Sequence, residues 1–416
     1  MSATLTHQVA VNAEGRHSLW PASRRLPAGW RQVLGASSRE ACLEHVTKHW
    51  DALATKPRPT AARAVKKGID FSLMFFGSDE GTAARDKYEM VIAAAKYADE
   101  GGLSAVWVPE RHFTSMGSLY PNPAVLHAAL ARETRRIRLR AGSVVLPLHH
   151  PIRVAEEWAV VDNLSNGRVE LSFAPGWNTG DFILAPDRYD TRYDVMYAGM
   201  EQVRRLWAGE LYEGLDGAGK PVSVRTYPTP VQKVLPMWIT AAGSERSFQQ
   251  AGKMGVDLLT HLFDQDVETL ARKVSMYREA RQAAGHDPET GRVAVALHTY
   301  IGGTADEVQE QVRGPYTKYL ESNIGLIEKL AQSRGMTLDI SKLPKAELSG
   351  VIEWIFEKFL SHRSLMGTVE SCVPLVEKLV ACGVQEIACL VDFGPSPRSI
   401  LDSLPRLCKL QERFRS

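Results

Sequence analysis

Cysteine is scarce in this 416-residue chain. The five present, Cys42, Cys372, Cys382, Cys389 and Cys408, are odd in number and form no Cys-x-x-Cys pair. That argues against a disulfide framework or a zinc knuckle and fits a reducing cytoplasm. Long apolar runs are missing too: none approaches the roughly 20 residues that a membrane span needs. The start, MSATLTHQVAV, has no charged segment leading into an apolar one, so it does not read as a signal peptide. Nor is there an excess of either charge. Fifty Lys and Arg against 48 Asp and Glu leave a net charge of +2, which gives no electrostatic reason to expect nucleic acid or an anionic membrane as partner. No internal repeat or low-complexity segment is visible. What the chain does have is apolar residues, 44% of the total. That is enough for a packed core at a length that suits two or three domains, or one large domain and one small.

One break in composition divides it. Residues 52–67, ALATKPRPTAARAVKK, are rich in Ala, Lys, Arg and Pro and read as a linker. We place an amino-terminal module at 1–56, the linker at 57–68 and a large domain at 69–416. In the large domain short apolar runs alternate with helical patterns. The runs are FSLMFF (71–76), SAVWVP (104–109), IRLRAGSVVL (137–146), RVELSFA (168–174), PMWITA (236–241), VDLLTH (256–261), RVAVALHTY (292–300) and EIACLVD (386–392). Eight such units point to parallel sheet, and to a (β/α)8 TIM barrel in preference to a doubly wound open sheet. Two stretches break the rhythm and read as insertions. One, 185–230, holds a helix and a Gly- and Pro-rich stretch; the other, about 303–366, is helical and is expected to cover the barrel mouth.

In a barrel the chemistry belongs on the loops that follow the strands. Here those loops read ERHFTSMGSLYPNP, PLHHPIR, PGWNTGDF and AAGSERS; with the strand ends VDLLTH and HTY they would gather His112, His149, His150, His261 and His298 near one face. These histidines, with Glu110 and Asp392, match no familiar metal-ligand spacing, so no metal is expected. AAGSERS is a small-residue strand end running into a Gly-Ser turn and a helix. Free N–H groups there, with the hydroxyls of Ser244 and Ser247 and the charge of Arg246, suit a phosphate; a plain serine N-cap is the alternative.

The series WVPERHFTSMG, YPNP, AGSVVLPLHHPIRVAEEWAVVDNLSNGR, APGWNTGDF and AAGSERSF resembles the luciferase-like flavin monooxygenases, above all those found beside nonribosomal peptide and polyketide synthases. The resemblance runs over residues 69–392. It implies a (β/α)8 barrel that binds reduced FMN, supplied by a separate reductase, and reacts it with molecular oxygen. It implies that Gly142 and Ser143 join in a non-prolyl cis peptide against the flavin ring, with Phe76 and Gly77 near the ring. Gly176, Trp177 and Asn178 match the stretch beside the ring and ribityl chain, and Gly243, Ser244 and Ser247 match the phosphate site. Glu110, Arg111 and His112 fall where the family keeps its catalytic group. Arg111 replaces the first of two histidines there, so that histidine's role as base does not transfer. Pro175 stands where luciferases place an arginine near the phosphate.

The first 50 residues, with VNAEGRHSLWPASRRLPAGWR and SREACLEHVTKHWDAL, resemble an MbtH-like protein at Asn12, Glu14, Ser18, Trp20, Pro21, Pro27, Gly29, Trp30, Cys42, Leu43 and Trp50. Arg16 and the stretch Asp51-Ala52-Leu53 depart from that pattern. The resemblance implies a small α+β domain, a three-stranded sheet with a helix, that docks on an adenylation domain of a nonribosomal peptide synthetase through Ser18, Trp20 and Trp30. The residues agree: QVAVN and SLWPA read as strands and SREACLEHVTKHW as a capped amphipathic helix. Otherwise the tryptophans staple a small core. Together the two resemblances imply a cytoplasmic monooxygenase of nonribosomal peptide and antibiotic biosynthesis. It would hydroxylate an amino acyl or acyl group held on a carrier protein, and it would be a homodimer. A deazaflavin-dependent oxidoreductase and a non-catalytic scaffold are the alternatives.

Overall fold

The computed structural model describes residues 6–12, 17–26, 29–50, 68–78, 87–114, 117–263, 265–322, 328 and 345–415. Glu14, Arg16, Pro27, Asp51-Ala52-Leu53, the whole 52–67 stretch and the middle of the 303–366 segment lie outside the described residues. The chain divides into two compact units, Met1–Ala64 and Val65–Ser416. Among the described residues no helix is long and apolar enough to cross a membrane.

The first unit is a three-stranded antiparallel sheet with one helix. β1 (His7–Asn12) lies between β2 (His17–Pro21) and β3 (Trp30–Ser37), and α1 (Arg39–Trp50) follows. Val9, Ala10 and Val11 of β1 and Cys42 of α1 are buried. Gln8 is buried as well, because its amide donates to the carbonyls of Pro21 and Arg24 (3.2 and 3.1 Å) and its oxygen accepts from Gln32 (2.9 Å). The Ser38 hydroxyl accepts from the Ala41 N–H at 3.2 Å and caps the helix start.

The second unit is a closed parallel barrel. Its strands, in order around the barrel, are β4 (Asp70–Met74), β5 (Ala105–Val108), β6 (Arg138–Val145), β7 (Val169–Ala174), β10 (Met237–Thr240), β11 (Asp257–His261), β12 (Val293–Ile301) and β14 (Glu386–Leu390). The ring closes through pairing of β11 with β12 and of β14 with β4. These are the eight apolar runs of the sequence. Both faces of each strand are buried, as in other parallel sheets wrapped in helices. On β4, Phe71 and Leu73 pack outward with the surrounding helices, while Ser72 and Met74 face in.

The 185–230 stretch differs from its reading as an insertion. Its helix, α5 (Arg192–Trp207), is a member of the barrel's helical ring: Met196, Met200, Val203 and Trp207 sit in the main core with Val169 and Phe173 of β7. Only the antiparallel hairpin of β8 (Tyr212–Leu215) and β9 (Pro221–Val224) is added to the repeat. The later insertion contains α8 (Ala305–Ser322), α9 (Lys345–His362) and a short β13 (Leu365–Gly367) that pairs with the end of β12. Arg313 of α8 pairs with Glu353 of α9. Tyr316 and Tyr319 of α8 pack against His298 and Phe393, beyond the middle of β12 and just past β14. The described part of α8 therefore lies over that side of the mouth.

Charged residues fill the barrel interior. The Arg140 guanidinium lies 4.7 Å from the Trp107 ring and 4.8 Å from the Trp238 ring. It donates to Glu170 at 2.7 Å and to both oxygens of Glu386 at 2.6 and 2.7 Å. Arg292 also lies over the Trp238 ring, 4.6 Å from its centre, and pairs with Glu170 (2.9 Å) and Asp257 (3.0 Å). The indole N–H groups of Trp107 and Trp238 donate to Glu386 (3.1 Å) and Glu170 (2.9 Å). Burial opposes ionisation of Glu170, yet Arg140 and Arg292 hold its carboxyl below the usual range. Removing one member of such a set leaves its partners charged and dry. Arg140→Met is expected to destabilise the barrel by about 3–5 kcal/mol in urea unfolding of the full chain; a loss below about 1 kcal/mol would mean the stack is not structural.

Candidate active site

The rim is built where the strands end. After β4, the N–H groups of Phe76 and Gly77 each donate at 2.6 Å to the Asp392 carboxylate, which follows β14. The Tyr120 hydroxyl donates to the same carboxylate at 2.8 Å. A Cβ at Gly77 would stand 2.7 Å from Asp392, so this approach needs glycine. Burial pushes the Asp392 carboxyl up to about 6 against these three donors.

Within β6 the Gly142–Ser143 peptide is cis. A Cβ at Gly142 would meet Trp107 at 3.1 Å, and the Ser143 hydroxyl shares a 2.5 Å hydrogen bond with Thr240, which Ser172 also contacts at 2.7 Å. After β7, Gly176 has φ +79°, and a Cβ there would meet Phe182 and Val145 at 2.9 Å. Asn178 donates to Asp181 at 2.7 Å and starts the following turn.

The loop after β5 splits into two directions. Glu110 is buried. Its Oε1 accepts from His112 Nε2 at 2.9 Å and from His149 Nε2 at 2.6 Å, and its Oε2 accepts from the Val145 N–H at 2.7 Å. Burial pushes the Glu110 carboxyl up, but the two imidazoles and the Val145 N–H outweigh it and hold the carboxyl low. Arg111 turns instead to Trp177, its guanidinium 4.8 Å from the ring, and to Phe76 at 5.6 Å. Asp181 stands 3.9 Å away and Thr114 at 3.4 Å, and burial lowers the arginine's proton affinity.

At the end of β10, residues 242–246 are exposed and lead into α6 (Glu245–Lys253). Ser244 is the N-cap residue, yet its hydroxyl makes no capping bond to its own helix. Ser247 is buried one turn on, beside Tyr197 of α5. The turn is held from below by Lys273, in α7 (Val267–Ala283), whose ammonium donates to the Gly243 carbonyl at 2.8 Å and to Gln265 at 2.9 Å. A turn with free N–H groups and uncommitted hydroxyls can take an anion.

Sequence reasoning missed Lys273 and Tyr197, which lie on helices with no motif to mark them, and it treated Asp392 only as a candidate ligand. The five rim histidines divide. His112 and His149 share Glu110. His150 caps α4 (Pro151–Ser165), and His261 accepts from the Phe263 N–H. His298 is enclosed by Tyr316, Tyr319, Phe359 and Phe393, and burial pushes it down to about 3. Among the described residues no group of three or more His, Cys, Asp or Glu is placed to hold a metal ion. In the first unit Ser18, Trp20 and Trp30 are partly buried, and the Trp20 indole N–H has no partner among the described residues.

The profile of the luciferase-like monooxygenases matches residues 69–386, and that of the MbtH-like proteins matches residues 2–64. The chain belongs to the luciferase-like monooxygenase family, a family of flavin-dependent monooxygenases, and carries an MbtH-like domain at its amino-terminal side. It is 29% identical over 346 residues to the oxygenase component of flavin-dependent trigonelline monooxygenase from Acinetobacter baylyi, covering 79% of this chain and 90% of that one. The fold matches the oxygenating constituent of 3,6-diketocamphane monooxygenase from Pseudomonas putida, solved with FMN, with a TM-score of 0.66 over 84% of this chain and 99% of that one at 19% identity. An F420-dependent secondary alcohol dehydrogenase matches with a TM-score of 0.63 over 84% and 100% of the two chains at 17% identity. At such identities the structural likeness establishes the fold.

Asp392 gives a testable pH dependence. Its carboxyl sits above the ordinary value of 3.8 in the folded chain, at about 6. The folded state therefore binds this proton more tightly than the unfolded state, so the residue's contribution to stability is greatest at low pH and falls as pH rises from about 4 to 6. In Asp392→Asn that segment of a stability–pH curve should flatten; an unchanged slope would assign it to another group.

Proposed function

We propose that the chain is a monooxygenase using reduced FMN, delivered by a separate reductase, and molecular oxygen. It hydroxylates an amino acyl or acyl group carried on a carrier protein in nonribosomal peptide biosynthesis. The observation that carries the flavin reading is the mouth itself. The close-packed Gly142–Ser143 segment, the positive-φ Gly176 and the exposed turn at Ser244, without a side-chain cap, stand on one rim. Their chemistry fits a planar ring with an anionic tail. Phe76, Gly77, Gly142, Ser143, Gly176, Trp177 and Asn178 would hold the ring and ribityl chain. Gly243, Ser244 and Ser247 would hold the phosphate, with the Tyr197 hydroxyl beside Ser247. Bound there, the reduced flavin supplies the electrons for oxygen activation, and the protein supplies position and water exclusion.

Glu110 orients His112, which is placed to hold or accept a proton at the mouth. Arg111 fixes the Trp177 and Phe76 rings. The name of the trigonelline relative, an oxygenase component, supports a partner reductase. The F420-dependent neighbour keeps a deazaflavin as a second reading, which oxygen dependence separates from the first. Ser18, Trp20 and Trp30 of the MbtH-like domain would dock an adenylation domain, and the join near residues 57–68 would keep the barrel close to the assembly line. The protein is then cytoplasmic and, by family habit, a homodimer.

Two measurements test this. Ser244→Ala should weaken FMN binding by about 1–3 kcal/mol through lost phosphate hydrogen bonds while leaving riboflavin binding unchanged; an equal loss for both ligands would move the phosphate elsewhere. Incubation of the full chain with reduced FMN, oxygen and an aminoacyl carrier protein should add one oxygen to the carried group, read by mass. A gain on the free amino acid alone would reject the carrier-bound substrate.

A further inference from the structure

Two imidazoles from different strand ends converge on one buried oxygen. His112 follows β5 and His149 follows β6, and both Nε2 atoms lie on Oε1 of Glu110. We propose that His149 is a positioning residue for His112, acting through the Glu110 carboxylate that both rings hold. This rests on reading the mouth as the site of reaction.

The geometry leaves Glu110 little freedom. Three donors fix its two oxygens, and its side chain is only 1% exposed, so water does not replace a missing donor cheaply. One buried negative charge can balance one imidazolium. Two imidazolium rings on the same oxygen would leave an excess positive charge and repel each other. The rings are not equivalent. His149 is the more open, its side chain 29% exposed against 13% for His112, and it makes the shorter bond.

The charged groups facing His149 are Glu110, Glu157 on α4 and Arg188, whose guanidinium donates to the His149 carbonyl at 2.9 Å. Burial and Arg188 oppose protonation of His149, but Glu110 and Glu157 outweigh them and raise its proton affinity. His149 therefore supplies the cation that Glu110 needs, and His112 is left free to exchange a proton at the mouth. No covalent bond changes in this arrangement; one proton resides on the outer ring.

His149→Gln tests this, because glutamine keeps an N–H donor for Glu110 and removes the titratable charge. Without that charge His112 becomes the one imidazole facing the carboxylate. In long-range proton–nitrogen spectra of the full chain, with His112 assigned through His112→Gln, the midpoint of the His112 signals should then move to higher pH than in wild type. The limb of the pH–rate profile that His112 governs should move the same way, with FMN affinity unchanged. If His149 only ties two loops together, the glutamine variant titrates like wild type, and that result overturns the proposal. Should the variant not fold, the wild-type spectra decide: His149 must keep its proton to higher pH than His112, and the reverse order overturns the inference. Absence of any turnover with reduced FMN in wild type would refute the functional reading, while the spectra would still decide the role of His149.

Discussion

Arg140 stands inside the barrel against two adjacent tryptophan rings, its charge held by two carboxylates. A guanidinium so deeply buried is tolerable only because its charge is balanced and its donors are used. The same contacts place Trp107, and Trp107 in turn forms the wall that a side chain at position 142 would strike. The floor of the barrel thus sets the shape of the layer above it. Around that layer the Asp392 carboxylate ties the end of the last strand to the end of the first, so the rim is closed by hydrogen bonds as well as by the sheet.

Much of this fold is legible in the sequence because burial on both faces turns each strand into a short apolar run, and eight such runs separated by helical patterns leave few architectures open. The amino-terminal sheet and helix are legible for the same reason on a smaller scale. The helix Arg192–Trp207 is harder to place. A long connection from 175 to 191 separates it from β7, so its distance along the chain suggests an insertion while its apolar face packs in the main core. The interior charges are also hidden. Arg140, Glu170, Arg292 and Glu386 each look like interruptions at a strand start or middle, and only the closed barrel brings them into register.

The candidate site divides in the same manner. Glycines and serines at strand ends announce close approach and free backbone donors, and the sequence marks them well. Partnerships between loops are not marked. Nothing in ERHF or PLHH says that one glutamate will hold a histidine from each, and Lys273 supports the Gly243 turn from the middle of an ordinary amphipathic helix. Family membership then gives the chemistry its class, while the residues decide how this chain departs from it. Arg111 is the clearest departure: in place of a basic imidazole it sets a guanidinium against Trp177 and Phe76, leaving the proton chemistry to the Glu110 cluster.

The central claim is that this mouth holds a flavin mononucleotide in one orientation. A crystal structure of the full chain grown with FMN tests it most directly. The account predicts density for the phosphate at the start of α6 beside Ser244 and Ser247, with the ring against Gly142–Ser143. Density for the phosphate at any other strand end, or a mouth filled by its own side chains in the presence of saturating FMN, would contradict it.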